Sequence, residues 1–121
     1  MDSAARRRRA YRSGRWAEAL CALALRLKGY RILARDWRAP VGEIDILAQR
    51  GKILVAVEVK RRDSLAAAAE AVGAAQRRRI LRAVQAFVAR HPELAAADLR
   101  CDAMLVLPGR WPRHIMDAWR P

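Results

Sequence analysis

The chain is 121 residues long, 54% hydrophobic and 31% charged, with a formal net charge of +13. That is the length of one ordinary domain, enough to bury roughly two thirds of the unfolded surface in a single core. No run approaches the ~18 uncharged apolar residues of a membrane span, the Arg-rich start leads into an amphipathic segment rather than a signal peptide, and Cys21 and Cys101 form no C-x-x-C pair for zinc or redox work.

A cytoplasmic protein is the expectation, with a field that draws polyanions, nucleic acid before any other. Only Lys28, Lys52 and Lys60 among the 25 basic residues are lysine. The preference for arginine reads as a coding bias, which makes the ammonium retained at Lys60 the more informative.

Residues 1–12, with Arg6, Arg7, Arg8 and Arg9 in succession, read as a mobile basic arm that can track a phosphate backbone without reading sequence. A single domain over 13–121 follows. From Ser13 to Lys28, Trp16, Leu20, Leu23, Ala24 and Leu27 recur at intervals of three and four, the apolar stripe of an amphipathic helix. Ser13 suits its N-cap and Gly29 its C-terminal stop. Glu18 has two readings: a first-turn carboxylate favoured by the helix dipole, or a member of the site described below.

Tyr30–Arg38 and Gly42–Gln49 read as two strands joined through Ala39-Pro40-Val41, and Arg50-Gly51 turns the chain into a third, Lys52–Lys60. After a short loop at 61–66, Ala67–Arg90 is a long helix. Val72, Ile80, Leu81, Val84, Phe87 and Val88 form its docking face, and Arg77, Arg78, Arg79 and Arg82 a basic ridge. Gly73 would weaken its interior by about 1 kcal/mol. Leu99–Leu107 is a fourth strand, and 113–119 is either a short strand or a helical turn. Of the tryptophans, Trp16 and Trp37 fit apolar faces, while Trp111 and Trp119 are freer to stack on unpaired bases.

Chemistry concentrates in Gly42–Arg62, GEIDILAQRGKILVAVEVKRR. A strand alternates faces with period 2, so Glu58 and Lys60 share one side while Ile53, Val55, Val57 and Val59 cover the other. Counting out from a turn at 50–51 sets Asp45 nearly opposite residue 56, and a bulge or sheet twist has to bring it to Glu58. Two adjacent carboxylates repel unless a cation lies between them, and hard oxygen donors suit Mg²⁺ or Mn²⁺ rather than zinc. Such an ion beside Lys60 on a basic surface matches the needs of phosphodiester hydrolysis. The plain alternative is a strand-surface ion pair worth about 0–1 kcal/mol.

The stretches GRWAE at 14–18, KGYRIL at 28–33, GEIDILA at 42–48, VAVEVKRR at 55–62, RCDA at 100–103 and HI at 114–115 together resemble the YraN-like family of small bacterial proteins. The resemblance implies an α/β restriction-endonuclease-like fold with an αβββαβ core and a mixed sheet flanked by helices. It further implies the PD-(D/E)xK nuclease motif and kinship with archaeal Holliday-junction resolvases. By position, Asp45 is then the motif aspartate, Glu58 and Lys60 the E-x-K pair, Glu18 the acidic residue of the first helix, and the Val59 carbonyl an added metal ligand. Gln76 stands where many members carry lysine, and GEID lacks the proline of the wider motif.

The implied activity is metal-dependent endonucleolytic cleavage of DNA, with branched DNA among the substrates. Arg6–Arg9, Arg61, Arg62 and the Arg77–Arg82 ridge would contact nucleic acid, and symmetric cutting of two strands would call for a homodimer. A non-catalytic nucleic-acid-binding protein on the same fold is the alternative. Asp102 and His114 read as structural rather than as ligands.

Overall fold

A computed structural model describes the backbone of residues 3–62 and 73–121, and the side chains of residues 14–62 and 73–121. The elements follow as α1 (Ser3–Leu27), β1 (Arg31–Ala39), β2 (Gly42–Arg50), β3 (Ile53–Arg61), α2 (Ala74–Arg90), a 3₁₀ turn at Pro92–Leu94, β4 (Asp98–Val106) and β5 (Arg113–Trp119). The five strands lie side by side in sequence order. Pairing is antiparallel throughout except between β3 and β4, which run parallel across the α2 crossover. This is the expected mixed α/β sheet with a helix on each face, and the segment at 113–119 resolves as a strand.

The side chains of the arginine run at 6–9, the greater part of the 61–66 loop and the first turns expected of the long helix lie outside the described residues. Among the described ones, Gly73 is extended at φ −69°, ψ 157° and caps α2 instead of interrupting it. Helix α1 begins at Ser3, so Ser13 and Glu18 are interior to it rather than at its start.

Each face of the sheet has its own core. Toward α1 lie Ala17, Cys21, Ala24, Leu25, Ile46, Ala48, Val55, Val57 and Met104. Toward α2 lie Ile44, Leu47, Leu54, Ala56, Ile80, Val84, Phe87 and Trp119. The α1 stripe therefore differs from the one its large side chains suggest. Ala17, Cys21 and Ala24 face the sheet, while Trp16, Leu23 and Leu27 are exposed. Small side chains let the helix sit close to the strands, and closeness of packing outweighs the size of any one apolar group. Likewise Trp119 is buried, Trp37 packs edge-on against Phe87 at 5.5 Å, and Trp111 stays exposed.

One glycine sets the position of α2. A Cβ on Gly42 would lie 1.9 Å from the Arg79 carbonyl oxygen and 2.7 Å from its carbon, so the start of β2 and the first turns of α2 touch backbone to backbone. Gly42→Ala has to push the helix outward. A loss of about 1–3 kcal/mol is expected in urea denaturation, with disruption of the Gln76 contact described next.

Candidate functional site

The β2–β3 ladder runs from Arg50↔Ile53 to Ile46↔Val57 and stops there. The turn is thus Gly51-Lys52, one residue later than the sequence suggests, and the shift corrects the register by two. Continued by one step, it sets Asp45 directly across from Glu58 rather than opposite residue 56. Two irregularities converge on the same point. Ile44 packs toward α2 while Ile46 packs toward α1, although residues two apart on a regular strand share a face. On the neighbouring strand Asp36 takes the left-handed conformation at φ 46°.

Where the strands part, a side chain takes over the ladder's work. Val59 donates its backbone N–H to Asp45 Oδ2 at 2.8 Å. In a strand the N–H and C=O of one residue point to the same neighbour, so the Val59 carbonyl faces the gap occupied by Asp45. Asp45 and Val59 line an open cavity of about 210 Å³ together with Glu18, Asp36, Arg15, Arg38 and Arg61.

On the α2 side, Gln76 Nε2 donates to Glu58 Oε1 at 2.6 Å, and Lys60 is buried two residues further along β3. Glu58 and Asp45 are hydrogen-bonded carboxyl to carboxyl. Burial first, then the neighbouring Asp45 charge, pushes the Glu58 carboxyl up to about 8, against the pull of Gln76 and Lys60. Burial also raises Asp45, partly offset by the Val59 N–H. Burial and mutual repulsion of the two carboxyls thus outweigh the neighbouring Lys60 charge and favour protonation of the pair.

Glu18, from α1, reaches the same cavity, but its Oε1 accepts from Arg35 Nε at 3.2 Å. Burial raises its pKa and Arg35 partly restores it. Arg35 and Gly42 are contributors that pattern reading missed: Arg35 belongs to a strand with no motif of its own, and the glycine's meaning lies in a helix that passes over it.

The chemistry of the donor set fits a hard divalent ion: two mutually repelling carboxyl groups and a carbonyl meet at one point. Among the described residues no three acidic, histidine or cysteine side chains gather closely enough to grip a metal unaided. Asp45 and Glu58 form a pair, and Glu18 is held across the cavity by Arg35.

The basic residues of β3 and α2 differ in their surroundings. Arg61 lines the cavity. Arg77 lies over the Trp119 ring at 5.5 Å, Arg79 sits 3.6 Å from Glu43, and Arg78 and Arg82, one turn apart, are exposed. Arg62 joins β3 to β4 through its N–H to the Val106 carbonyl.

A second polar cluster lies at the other end of α1. Asp102, fully buried, accepts from Arg100 Nε and Nη2 at 2.9 Å each, from the Asp117 N–H at 2.9 Å and from His114 Nε2 at 2.6 Å. Lys28 Nζ reaches His114 Nδ1 at 3.1 Å. Lysine can only donate, so in that contact Nδ1 is the acceptor while Nε2 faces Asp102. Burial pushes Asp102 upward, but the hydrogen bonds from His114 and Arg100 overcome it and hold the carboxyl below its usual range. The cluster ties β5 to β4. Asp102→Ala strands these donors and should cost about 3 kcal/mol, read as a lower urea midpoint.

The profile of the uncharacterised protein family UPF0102 matches residues 17–106. A UPF0102 protein from Methylobacterium nodulans is 54% identical over 119 residues, covering 98% of this chain and 92% of that one. Another, from Parvibaculum lavamentivorans, is 53% identical over 112 residues, covering 93% and 84%. Among solved structures, Hjc, a Holliday junction resolvase from the archaeal hyperthermophile Archaeoglobus fulgidus, superposes with a TM-score of 0.54 at 20% identity, covering 82% of this chain and 72% of that one. The chain therefore belongs to the UPF0102 (YraN-like) family and has a resolvase-like, restriction-endonuclease-like fold.

Proposed function

We propose that this UPF0102 protein is a metal-dependent DNA endonuclease that hydrolyses phosphodiester bonds, with branched DNA among its substrates. The observation that carries the reading is the Asp45–Glu58 carboxyl pair at the point where β2 and β3 separate, with Lys60 beside it. The fold shared with a Holliday junction resolvase supports it.

Asp45, Glu58 and the Val59 carbonyl are the residues that would hold Mg²⁺ or Mn²⁺, with Glu18 reaching it once released from Arg35. The ion supplies charge neutralisation at the phosphate and a more acidic water. Lys60 orients the attacking water and shares the phosphate's charge. Gln76 holds Glu58 in place from α2. Arg61, Arg62, Arg78, Arg82 and Arg6–Arg9 at the start of α1 neutralise flanking phosphates, and a cytoplasmic homodimer provides one site for each strand of a branch.

The test is an assay on linear, forked and four-way DNA with Mg²⁺, Mn²⁺ or EDTA. Cleavage should need the metal and fall at least about a hundredfold in Lys60→Ala, with the circular dichroism spectrum unchanged. Metal-independent cutting, or full activity in the variant, refutes the assignment.

A second reading has its own support. Gln76 and Arg35 already engage the acidic groups, which suits a non-catalytic nucleic-acid-binding module. That reading predicts steep salt dependence of binding and no heat of Mg²⁺ or Mn²⁺ binding in calorimetry.

A further inference from the structure

The sheet end that carries Glu58, Lys60 and Arg61 also carries the turn between β4 and β5. Arg61 is paired with Val106 across the parallel β3–β4 ladder, and the Arg62 N–H bonds the Val106 carbonyl at 3.1 Å. Immediately beyond Val106 the chain makes the turn Leu107–Pro112 and returns at Arg113, opposite Leu105. Trp111 sits in that turn, two strand spacings from Lys60. At about 4.8 Å per spacing, Arg113 is roughly 10 Å from Lys60, and the indole, two residues further out in the turn, lies several nucleotides along a strand from the proposed centre.

This indole is built to be offered to a partner. It is 55% exposed, on a turn closed by the Arg110 N–H to the Leu107 carbonyl at 3.3 Å, with Gly109 in the left-handed region at φ 68°. Pro108 and Pro112 stiffen the turn on both sides. The setting is cationic: Arg110 and Arg113 are exposed next to it, and from Ala103 to Met116 the sequence contains no carboxylate. An exposed indole beside guanidinium groups is the combination that holds an unpaired base by its face and the adjoining phosphates by charge. A paired base in an intact duplex cannot present that face.

We propose that Trp111, with Arg110 and Arg113, is a stacking platform for an unpaired base several nucleotides from the scissile phosphate, and that it biases the protein toward DNA with single-stranded character beside the cut. The inference rests on the nuclease reading for its location but not for its test. Binding is measured in EDTA, without cleavage, by fluorescence anisotropy of labelled oligo-dT, of a forked duplex and of a blunt duplex, on the full chain.

Trp111→Ala should weaken oligo-dT and the fork by about tenfold, and the blunt duplex by no more than about twofold. Trp111→Phe, which keeps a ring, should recover most of the loss, and Arg110→Ala should lower the slope of log affinity against log salt for all three DNAs. Equal losses on duplex and single strand, or no loss in Trp111→Ala, overturn the platform. So does failure of phenylalanine to rescue. If Trp111→Ala behaves as expected while no metal supports cleavage, the platform stands and the nuclease assignment falls, so the two can fail separately.

Discussion

Asp45→Asn is expected to lose metal-dependent cleavage by a factor of about a thousand or more while the chain stays folded. The side-chain amide is nearly the same shape as the carboxyl it replaces. Its oxygen can accept the Val59 N–H that Asp45 Oδ2 now takes at 2.8 Å, and its NH₂ can donate to the Glu58 carboxyl beside it. The β2–β3 separation is therefore preserved, and the buried negative charge that raises Glu58 is gone. Stability at neutral pH should be unchanged or higher. A divalent ion, by contrast, loses one of two anionic donors and meets the positive end of an amide dipole.

A thousandfold loss corresponds to about 4 kcal/mol of transition-state stabilisation, the scale of removing a principal electrostatic group from a closed site. Single-turnover cleavage and Mn²⁺ calorimetry, run beside a urea titration, check both halves. Undiminished cutting by the folded variant would mean the chemistry lies elsewhere.

The same residue shows how far the sequence could be read. The order of helix and strands and the placing of Glu58 and Lys60 on one face follow from periodicity and turn chemistry. These are local properties, repeated over nine-residue strands, and noise in one position does not erase them. The register of β2 against β3 depends instead on a single choice, whether Arg50-Gly51 or Gly51-Lys52 forms the turn. A step of one there displaces the opposing residue by two, which is why Asp45 needs a bulge to meet Glu58 in one count and none in the other.

The α1 face was misjudged for a different reason. Two apolar stripes coexist on that helix, and the one with the larger side chains, Trp16, Leu23 and Leu27, is the exposed one. Which stripe faces inward is decided by how near the helix must come to the sheet, a tertiary quantity. The Asp102–His114–Lys28 chain is of the same kind, since it joins three elements through side chains that are isolated in sequence. Gln76, by contrast, was placed by the resemblance, and the bond to Glu58 gives that placement a physical basis.

The carboxyl pair also makes the metal-free protein sensitive to pH in an unusual direction. Burial beside Asp45 raises the Glu58 pKa from 4.5 to about 8 on folding. Between those values the folded state holds a proton that the unfolded state has released, so stability falls as pH rises, by about 1.4 kcal/mol per unit for one proton. Asp45, also raised, adds to the slope. Asp102 has a lowered pKa and works the other way, but only at acid pH, where its stabilising contribution is lost as it protonates. In EDTA the urea midpoint should therefore decline as pH rises from about 5 to about 8.

Two additions should flatten that decline. Millimolar Mg²⁺ replaces the shared proton and stabilises the folded state most where the carboxyls are ionised. Asp45→Asn removes the repulsion at its origin and should be nearly insensitive to the metal. If the midpoint in EDTA is level from pH 5 to 8, the two carboxyls do not share a proton. The metal then loses its main attraction to that gap, because what draws a dication between Asp45 and Glu58 is the same uncompensated charge that holds the proton there.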